Sequence, residues 1–567
     1  MTSVDTLNTV DLKHEFRLIS KILLFAVVGV NIFIFPDKSI DPINSPKLFM
    51  LGTFGVLSFV ALCQVLFKNF VYLREPQFLI AFLFLSQMSI TLIVSGRVSD
   101  QFFGTFGRNT GYLTFASLVS LFLCASVIRK VDFIENLSKT LILCGVFALG
   151  YGLLQALNLD PVNWAKSGYT PIFGFLGNPN FESAFLGMTA SAYLSFVLSN
   201  KRTKLERTVY LSLIFLNVYV ILESHSEQGL LVLLSGALVV VILFLFSVKI
   251  WSLFTLSTLF GFFIGVLSIL GLTNRGPLAG ILYKDSITYR GDYWRAAWKM
   301  GWENPFTGVG IDRFGENYRA YRDLVATIRR GPDVTSNSAH NVFLDIFSNI
   351  GLLGAILYLL LHILTIFSII RFLRKSTDFN VSFIALVGAW VAYVSQSIIS
   401  VNQIGLAVWG WILMGAIIGV SHISKTEPSF SDALKHKKTK KIAEKFPPAK
   451  IISVYLGIAA GILISIWPLA KDISYVNALK SGDAIKIQAS AYKLPLDSQK
   501  IFDISNLLLE NKLDKQSLQV AREGVKVFPN TFEIWKILSV QPLATNREIV
   551  EAKNQMRRLD PLNPNLK

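Results

Sequence analysis

The segment Ser338-Ala339-His340-Asn341-Val342-Phe343-Leu344-Asp345 stands where a long polar loop, roughly residues 274–338, runs into an apolar stretch from Ile346 to Ile370. A histidine and an asparagine at the mouth of a membrane helix are costly there without partners. An imidazole titrates near neutral pH, so His340 can accept a proton from an attacking hydroxyl or hold a phosphate oxygen. The plainer reading is a hydrogen-bonded residue at a helix start. Ser338 is expected to cap that helix, and Asn341 to orient the imidazole or a bound sugar. Upstream in the same loop lies Thr288-Tyr289-Arg290-Gly291-Asp292-Tyr293-Trp294-Arg295-Ala296-Ala297-Trp298. Arg290, Tyr293, Trp294 and Ala297 follow helical spacing, which predicts a short amphipathic helix lying on the membrane surface. Its plainer role is an interfacial anchor. The sharper one is that the Arg290 guanidinium grips pyrophosphate oxygens with two parallel hydrogen bonds. Asn304-Pro305-Phe306-Thr307-Gly308-Val309-Gly310 reads as the turn that ends this helix.

Two other motifs join them on the same predicted face. Gly177-Asn178-Pro179-Asn180-Phe181 is a turn leading into a helix. Phe103-Gly104-Thr105-Phe106-Gly107-Arg108-Asn109-Thr110-Gly111 offers a pliable backbone and a further arginine, Arg108. The sequence contains no phosphate-binding G-x-x-x-x-G-K-[ST] loop, no H-E-x-x-H or paired C-x-x-C metal pattern, and no G-x-S-x-G nucleophile elbow. An ATP-driven motor, a zinc hydrolase and a serine hydrolase are therefore poor readings.

The elements that must position these residues are membrane helices. Of the 567 residues, 52% are hydrophobic and 16% charged, and the apolar ones fall into blocks long enough to cross a bilayer core of roughly 30 Å. Strand alternation is absent, which argues against a β-barrel. The expectation is an all-α polytopic protein with about 12–13 spans: 18–35, 47–67, 77–95, 111–128, 139–157, 181–199, 208–223, 228–247, 251–272, 344–370, 381–399, 404–422 and 451–470. The first block lacks a small-x-small cleavage site and is read as a retained span. The net charge of +17 comes largely from short loops that alternate along the chain, so it sets topology and gives no reason to expect nucleic acid. Basic loops, including a lysine-rich run at 435–450 within 423–450, are assigned to the cytoplasm, together with the N-terminus. The loops 36–46, 96–110, 158–180, 224–227, 273–343 and 400–403 then face outward and hold nearly all the unusual polar motifs. Cys63, Cys124 and Cys144 all lie inside apolar blocks and read as packing residues.

The chain divides into a membrane part, 1–470, and a soluble tail, 471–567, placed outside. Leu494-Pro495-Leu496-Asp497, Phe528-Pro529-Asn530-Thr531 and Asp560-Pro561-Leu562-Asn563 resemble one another, and Pro495 and Pro529 are 34 positions apart, the period of tetratricopeptide repeats. Two helices fit in that interval, 498–510 and 515–527. Paired helices of this kind bind protein partners or cap a domain.

The segment Ser338–Leu344, with Gly351-Leu352-Leu353-Gly354 behind it, resembles the signature of the O-antigen ligase and polysaccharide polymerase superfamily. Arg290…Trp294…Ala297…Asn304-Pro305…Gly308-Val309-Gly310 and Gly177-Asn178-Pro179-Asn180 resemble the same family's outward motifs. The resemblance implies a GT-C-like membrane glycosyltransferase. Such a protein takes a glycan from an undecaprenyl-pyrophosphate carrier and passes it to a glycan, lipid or protein acceptor at the outer face of the cytoplasmic membrane, without metal, nucleotide sugar or other cofactor. It maps catalytic roles onto His340 and Arg290, and substrate contacts onto Asn341, Arg108, Asn178, Asn180, Gln228, Tyr289 and Trp294. A second family arginine is expected where this chain has Ser226-Glu227-Gln228-Gly229, and Gln228 can donate hydrogen bonds but brings no charge. Arg108, Arg313 and Arg319 are the alternatives for that charge.

A different class is a flippase for lipid-linked sugars. It fits the span count but not the one-sided polar motifs, since carriers gather polar residues near the midplane. A scaffold acting through the tail explains neither His340 nor Arg290. Ligase, polymerase and protein oligosaccharyltransferase share a donor and differ in acceptor, a difference that residue types do not encode.

Overall fold

A computed structural model describes residues 12–162, 164, 172–375, 379–423 and 448–566. Every regular element among them is helical. In the membrane part this follows from composition. Long apolar runs hidden from water must satisfy their backbone internally, and a helix does so within one segment.

The bundle consists of α1 (Lys13–Ile32), α2 (Asn44–Lys68), α3 (Pro76–Val94), the short α4 (Val98–Phe103), α5 (Tyr112–Val127), α6 (Val131–Ala156), α7 (Pro179–Leu198), α8 (Lys204–Glu223), α9 (Glu227–Ser247) and α10 (Trp251–Leu272). After the long loop come α15 (Val342–Lys375), α16 (Val381–Ile399), α17 (Ile404–Ser421) and α18 (Pro448–Ser465). All thirteen predicted spans are helices. Ten of them are long and apolar enough to cross a membrane, and α18 makes an eleventh if it is taken with α19 (Trp467–Ser481), from which it bends by 49°. The difference from the expected count has two causes. Helix α1 carries Lys13, Glu15, Arg17 and Lys21, and α5 is only 16 residues long. Both are nevertheless packed into the bundle.

Helix α17 is the central post, buried along its whole length. It packs on α5, α15 and α16, while α7 and α9 form a close pair against α16. At the other extreme α10 is a peripheral helix, with Leu256, Leu259, Phe262, Phe263 and Ile269 exposed. Such an apolar surface is stable only against lipid or another apolar partner. The basic run at 435–450 lies outside the described residues, apart from the backbone of 448–450.

The long loop is itself largely helical: α11 (Ala279–Leu282), α12 (Asp285–Glu303), α13 (Phe314–Tyr321) and α14 (Leu324–Arg330). The predicted amphipathic helix is α12, and part of its apolar face packs within the protein while Trp298 and Trp302 stay half-exposed. Tyr293, Ala296, Ala297 and Met300 are buried with Phe314, Tyr318 and Ala339 in a small core of the loop's own, and Trp298 and Trp302 pack on Phe347 of α15.

The tail comprises α19, α20 (Ala484–Ser490), α21 (Ser498–Glu510), α22 (Asp514–Val527), α23 (Phe532–Ser539) and α24 (Asn546–Leu559). Helices α21 and α22 fall where the repeat spacing predicts them, and α23 packs with α24. Three loops hold the tail to the bundle on the loop side. Asp472 accepts the backbone N–H of Asp41 at 2.9 Å and pairs with Lys500 at 2.5 Å. Asp497 accepts the N–H of Phe106 at 3.2 Å. Asp560 is buried between Arg322, 2.8 Å away, and Arg319, 3.1 Å away.

Candidate functional site

The start of α15 is a broken helix stitched to the loop. Gly351 has φ +82° and ψ −176°, which interrupts the helical hydrogen bonds. The carbonyls released upstream are taken up by other groups. Ser348 accepts the N–H of Val309 at 2.8 Å, Asn349 that of Gly310 at 3.1 Å, and Ile350 the Gln87 carboxamide at 3.0 Å. In return the Leu352 N–H donates to the Pro305 carbonyl at 2.8 Å. This re-satisfied backbone is what a break at membrane depth requires. A Cβ on Gly308 would sit 2.3 Å from the Asn349 carbonyl carbon, and one on Gly351 2.5 Å from the Pro305 oxygen. The Gly308-Val309-Gly310 and Gly351 motifs are therefore the two halves of one seam, and this seam fixes the first turns of α15.

His340 precedes those turns in a left-handed conformation, φ +52°. This one residue shifts the cap. The side-chain oxygen of Asn341, not Ser338, accepts the Leu344 N–H at 3.1 Å. Ser338 instead donates to Asp345 at 2.6 Å and accepts the His340 N–H at 3.0 Å, while the Ala339 N–H donates to Asp345 at 2.7 Å. Buried Asp345 thus holds the turn that aims the imidazole. The ring lies stacked on Tyr293 of α12, centroids 5.4 Å apart.

Burial and three nearby cations, Arg290, Arg108 and Arg330, push the His340 pKa down to about 4. The ring is therefore neutral at neutral pH and has a nitrogen lone pair to offer. The three arginines differ in their other contacts. Arg108 is already engaged: it lies 3.4 Å from Asp312 and 3.9 Å from Asp345, and donates to the Asn337 carbonyl. It ties the 103–111 loop to the His340 turn. Arg290 has no carboxylate partner among the described residues, and burial alone lowers its pKa. Arg330 has none either. Its guanidinium carbon lies 4.2 Å from the Tyr289 ring centroid and 5.3 Å from that of Tyr293, and Nη1 is buried without a hydrogen-bond partner. A desolvated cation without a counter-ion is costly unless an anion completes it. The Trp294 indole N–H is also buried and without a hydrogen-bond partner.

Arg313 and Arg319, the other sequence candidates for a second site charge, are committed elsewhere. Arg313 binds Asp100 at 3.2 Å and the carbonyls of Ser95 and Gly96. Arg319 binds Asp560 and Glu533. Arg330 does not stand out in the sequence. Its only signal there is an arginine pair, Arg329-Arg330, in the loop that also holds Arg290.

Asn178, Asn180 and Gln228 form a separate group. Asn178 caps α7 by accepting the Asn180 N–H at 2.9 Å, and Asn180 accepts the Ser226 hydroxyl at 2.8 Å. Gln228 is buried, 5% exposed, and both its amide atoms lack hydrogen-bond partners. The described tie between this group and α12 is the exposed ion pair of Lys284 with Glu227.

The stretch that spans Gln228, Arg290, Arg330 and His340 has a known relative. Residues 211–359 match the O-Antigen ligase family. The match supports membership of the O-antigen ligase-like superfamily and indicates a ligase- or polymerase-type function at a membrane. Arg108, Asn178 and Asn180 lie outside the matched residues. No curated protein matches the chain.

Proposed function

We propose that the protein transfers a glycan from an undecaprenyl-pyrophosphate carrier to an acceptor hydroxyl at the extracytoplasmic face of the cytoplasmic membrane. The observation that carries this reading is the pair Arg290 and Arg330, two guanidinium groups without carboxylate partners among the described residues, beside a neutral imidazole. A sugar pyrophosphate already contains a good leaving group, so the protein needs chiefly to hold it and to orient the acceptor. Arg290 and Arg330 bind the pyrophosphate oxygens, with Tyr289 holding the Arg330 plane. The acceptor oxygen bonds to the anomeric carbon as the carbon–oxygen bond to pyrophosphate breaks. The electron pair leaves with the lipid-borne pyrophosphate, and the hydroxyl proton passes to His340. Binding of the anion offsets the arginine charges that depress the His340 pKa, so the imidazole becomes a stronger base once the donor is seated. Attack opposite the leaving group inverts the anomeric centre.

The test is glycan transfer from purified lipid-linked donor by the reconstituted protein, with no gradient applied. Arg290→Ala and His340→Ala are expected to abolish transfer while folding normally. Full activity in both variants overturns the assignment, and movement of intact lipid-linked sugar without transfer favours a flippase. Deletion of the gene separates the finer readings. Surface glycan of normal length left unattached indicates a ligase, and single repeat units indicate a polymerase.

A further inference from the structure

A cleft of about 370 Å³ lies between the long loop and the tail. Its loop wall includes Thr335, Ser336 and Asn337, and its tail wall includes Gln499, Phe502 and Phe528. Its floor contains Asp312, the partner of Arg108. Asn337 is three residues before His340, a path of at most ~11 Å for an extended chain. The cleft therefore reaches to within that chain distance of the imidazole.

We infer that this cleft binds the acceptor as an uncharged saccharide chain; the inference rests on the transfer reaction above. Charge separates it from the arginine site. Six carboxylates, among them Asp333, Asp497 and Glu533, line the cleft against four cations. Such a surface disfavours a phosphate and suits hydroxyl groups, which donate to carboxylate and amide oxygens. Donors are available as well. The Thr335 hydroxyl and the Asn337 carboxamide line the cleft at exposed positions. Half-buried Phe502 adds apolar ring surface of the kind that covers the C–H face of a sugar. The two walls are tied together by the buried Asp560–Arg322 and Asp560–Arg319 pairs and, along the cleft's lining, by Arg319–Glu533 at 3.1 Å and Lys536–Asp333 at 3.4 Å.

The experiment uses the full-length protein in detergent. The probe is the delipidated surface glycan of the cell that makes it, and binding is read by saturation-transfer NMR. Gln499→Trp and Thr335→Trp fill the cleft from opposite walls at exposed positions, and each is expected to weaken binding at least tenfold. Gln519→Trp, on the tail's other groove, and Arg290→Ala are expected to keep wild-type binding. Absence of binding to the wild type, or equal binding by all four variants, overturns the inference. Donor turnover is measured in parallel: its loss in Arg290→Ala tests the transfer reaction, and its persistence there overturns that reading without touching the cleft.

Discussion

The central carbon of the Arg330 guanidinium lies over the Tyr289 ring, 4.2 Å from its centroid, with one terminal nitrogen buried and without a hydrogen-bond partner. A stacked guanidinium is held in one plane, which leaves its edge for a bidentate ligand. Arg330→Ala is expected to raise the KM for the lipid-linked donor by about 10–100-fold, the worth of a charge-assisted hydrogen bond. Arg330→Lys should restore little, because an ammonium neither stacks nor forks. Equal donor KM in wild type and Arg330→Ala would remove this residue from the donor site.

His340 gives a pH signature. Its pKa in the folded protein, about 4, is below the ordinary value of 6.5. Between those values the unfolded chain binds the proton more readily, so stability from this residue is intact above pH 6.5 and declines as pH falls toward 4. The full loss is about 3 kcal/mol. His340→Gln should flatten that part of the wild-type profile in thermal unfolding measured from pH 4 to 7. A donor-mimicking pyrophosphate, by offsetting the arginine charges and raising the folded-state pKa toward 6.5, should make the wild-type decline smaller and end it at a higher pH.

Gly308 tests the seam. Its φ is +61°, and an added methyl carbon would meet the Asn349 backbone at 2.3 Å, so Gly308→Ala combines strain with a clash. A cost of at least ~1–3 kcal/mol is expected, read as a lower melting temperature and a loss of activity. Gly280→Ala in the same loop, with no neighbouring atom within 4 Å of its Cβ position, should be close to neutral.

Asp560 tests the clamp. Its carboxylate is fully buried and takes two hydrogen bonds from Arg322 at 2.8 Å. Asp560→Ala leaves two buried arginines short of a partner and should destabilise tail docking by ~3–5 kcal/mol. Limited proteolysis should then release the tail, whereas Lys526→Ala, which breaks an exposed pair, should leave it protected.

The membrane helices were legible because each rests on a local pattern, a long apolar run, that needs no knowledge of its neighbours. His340 and Arg290 drew notice for a similar reason, since polar residues stand out against such a background, and the fold brings Arg290 among the charges that act on the imidazole. The roles of Arg108, Asn180 and Asn341 were not legible, because each is decided by a partner distant in sequence or by one backbone angle: Asp312 for Arg108, Ser226 for Asn180, and the left-handed His340 for the cap at Asn341. Arg330 was hidden for the opposite reason. It looks like any loop arginine until the fold half-buries it against two tyrosines.

The Arg322–Asp560 pair joins positions 238 residues apart. The loop is therefore clamped only after the tail has been made and has reached the same side of the bundle. The segment leading to His340 gains its order late, after the helix that follows it is already in place, and a chain cut between α18 and α19 should keep the bundle while losing that clamp.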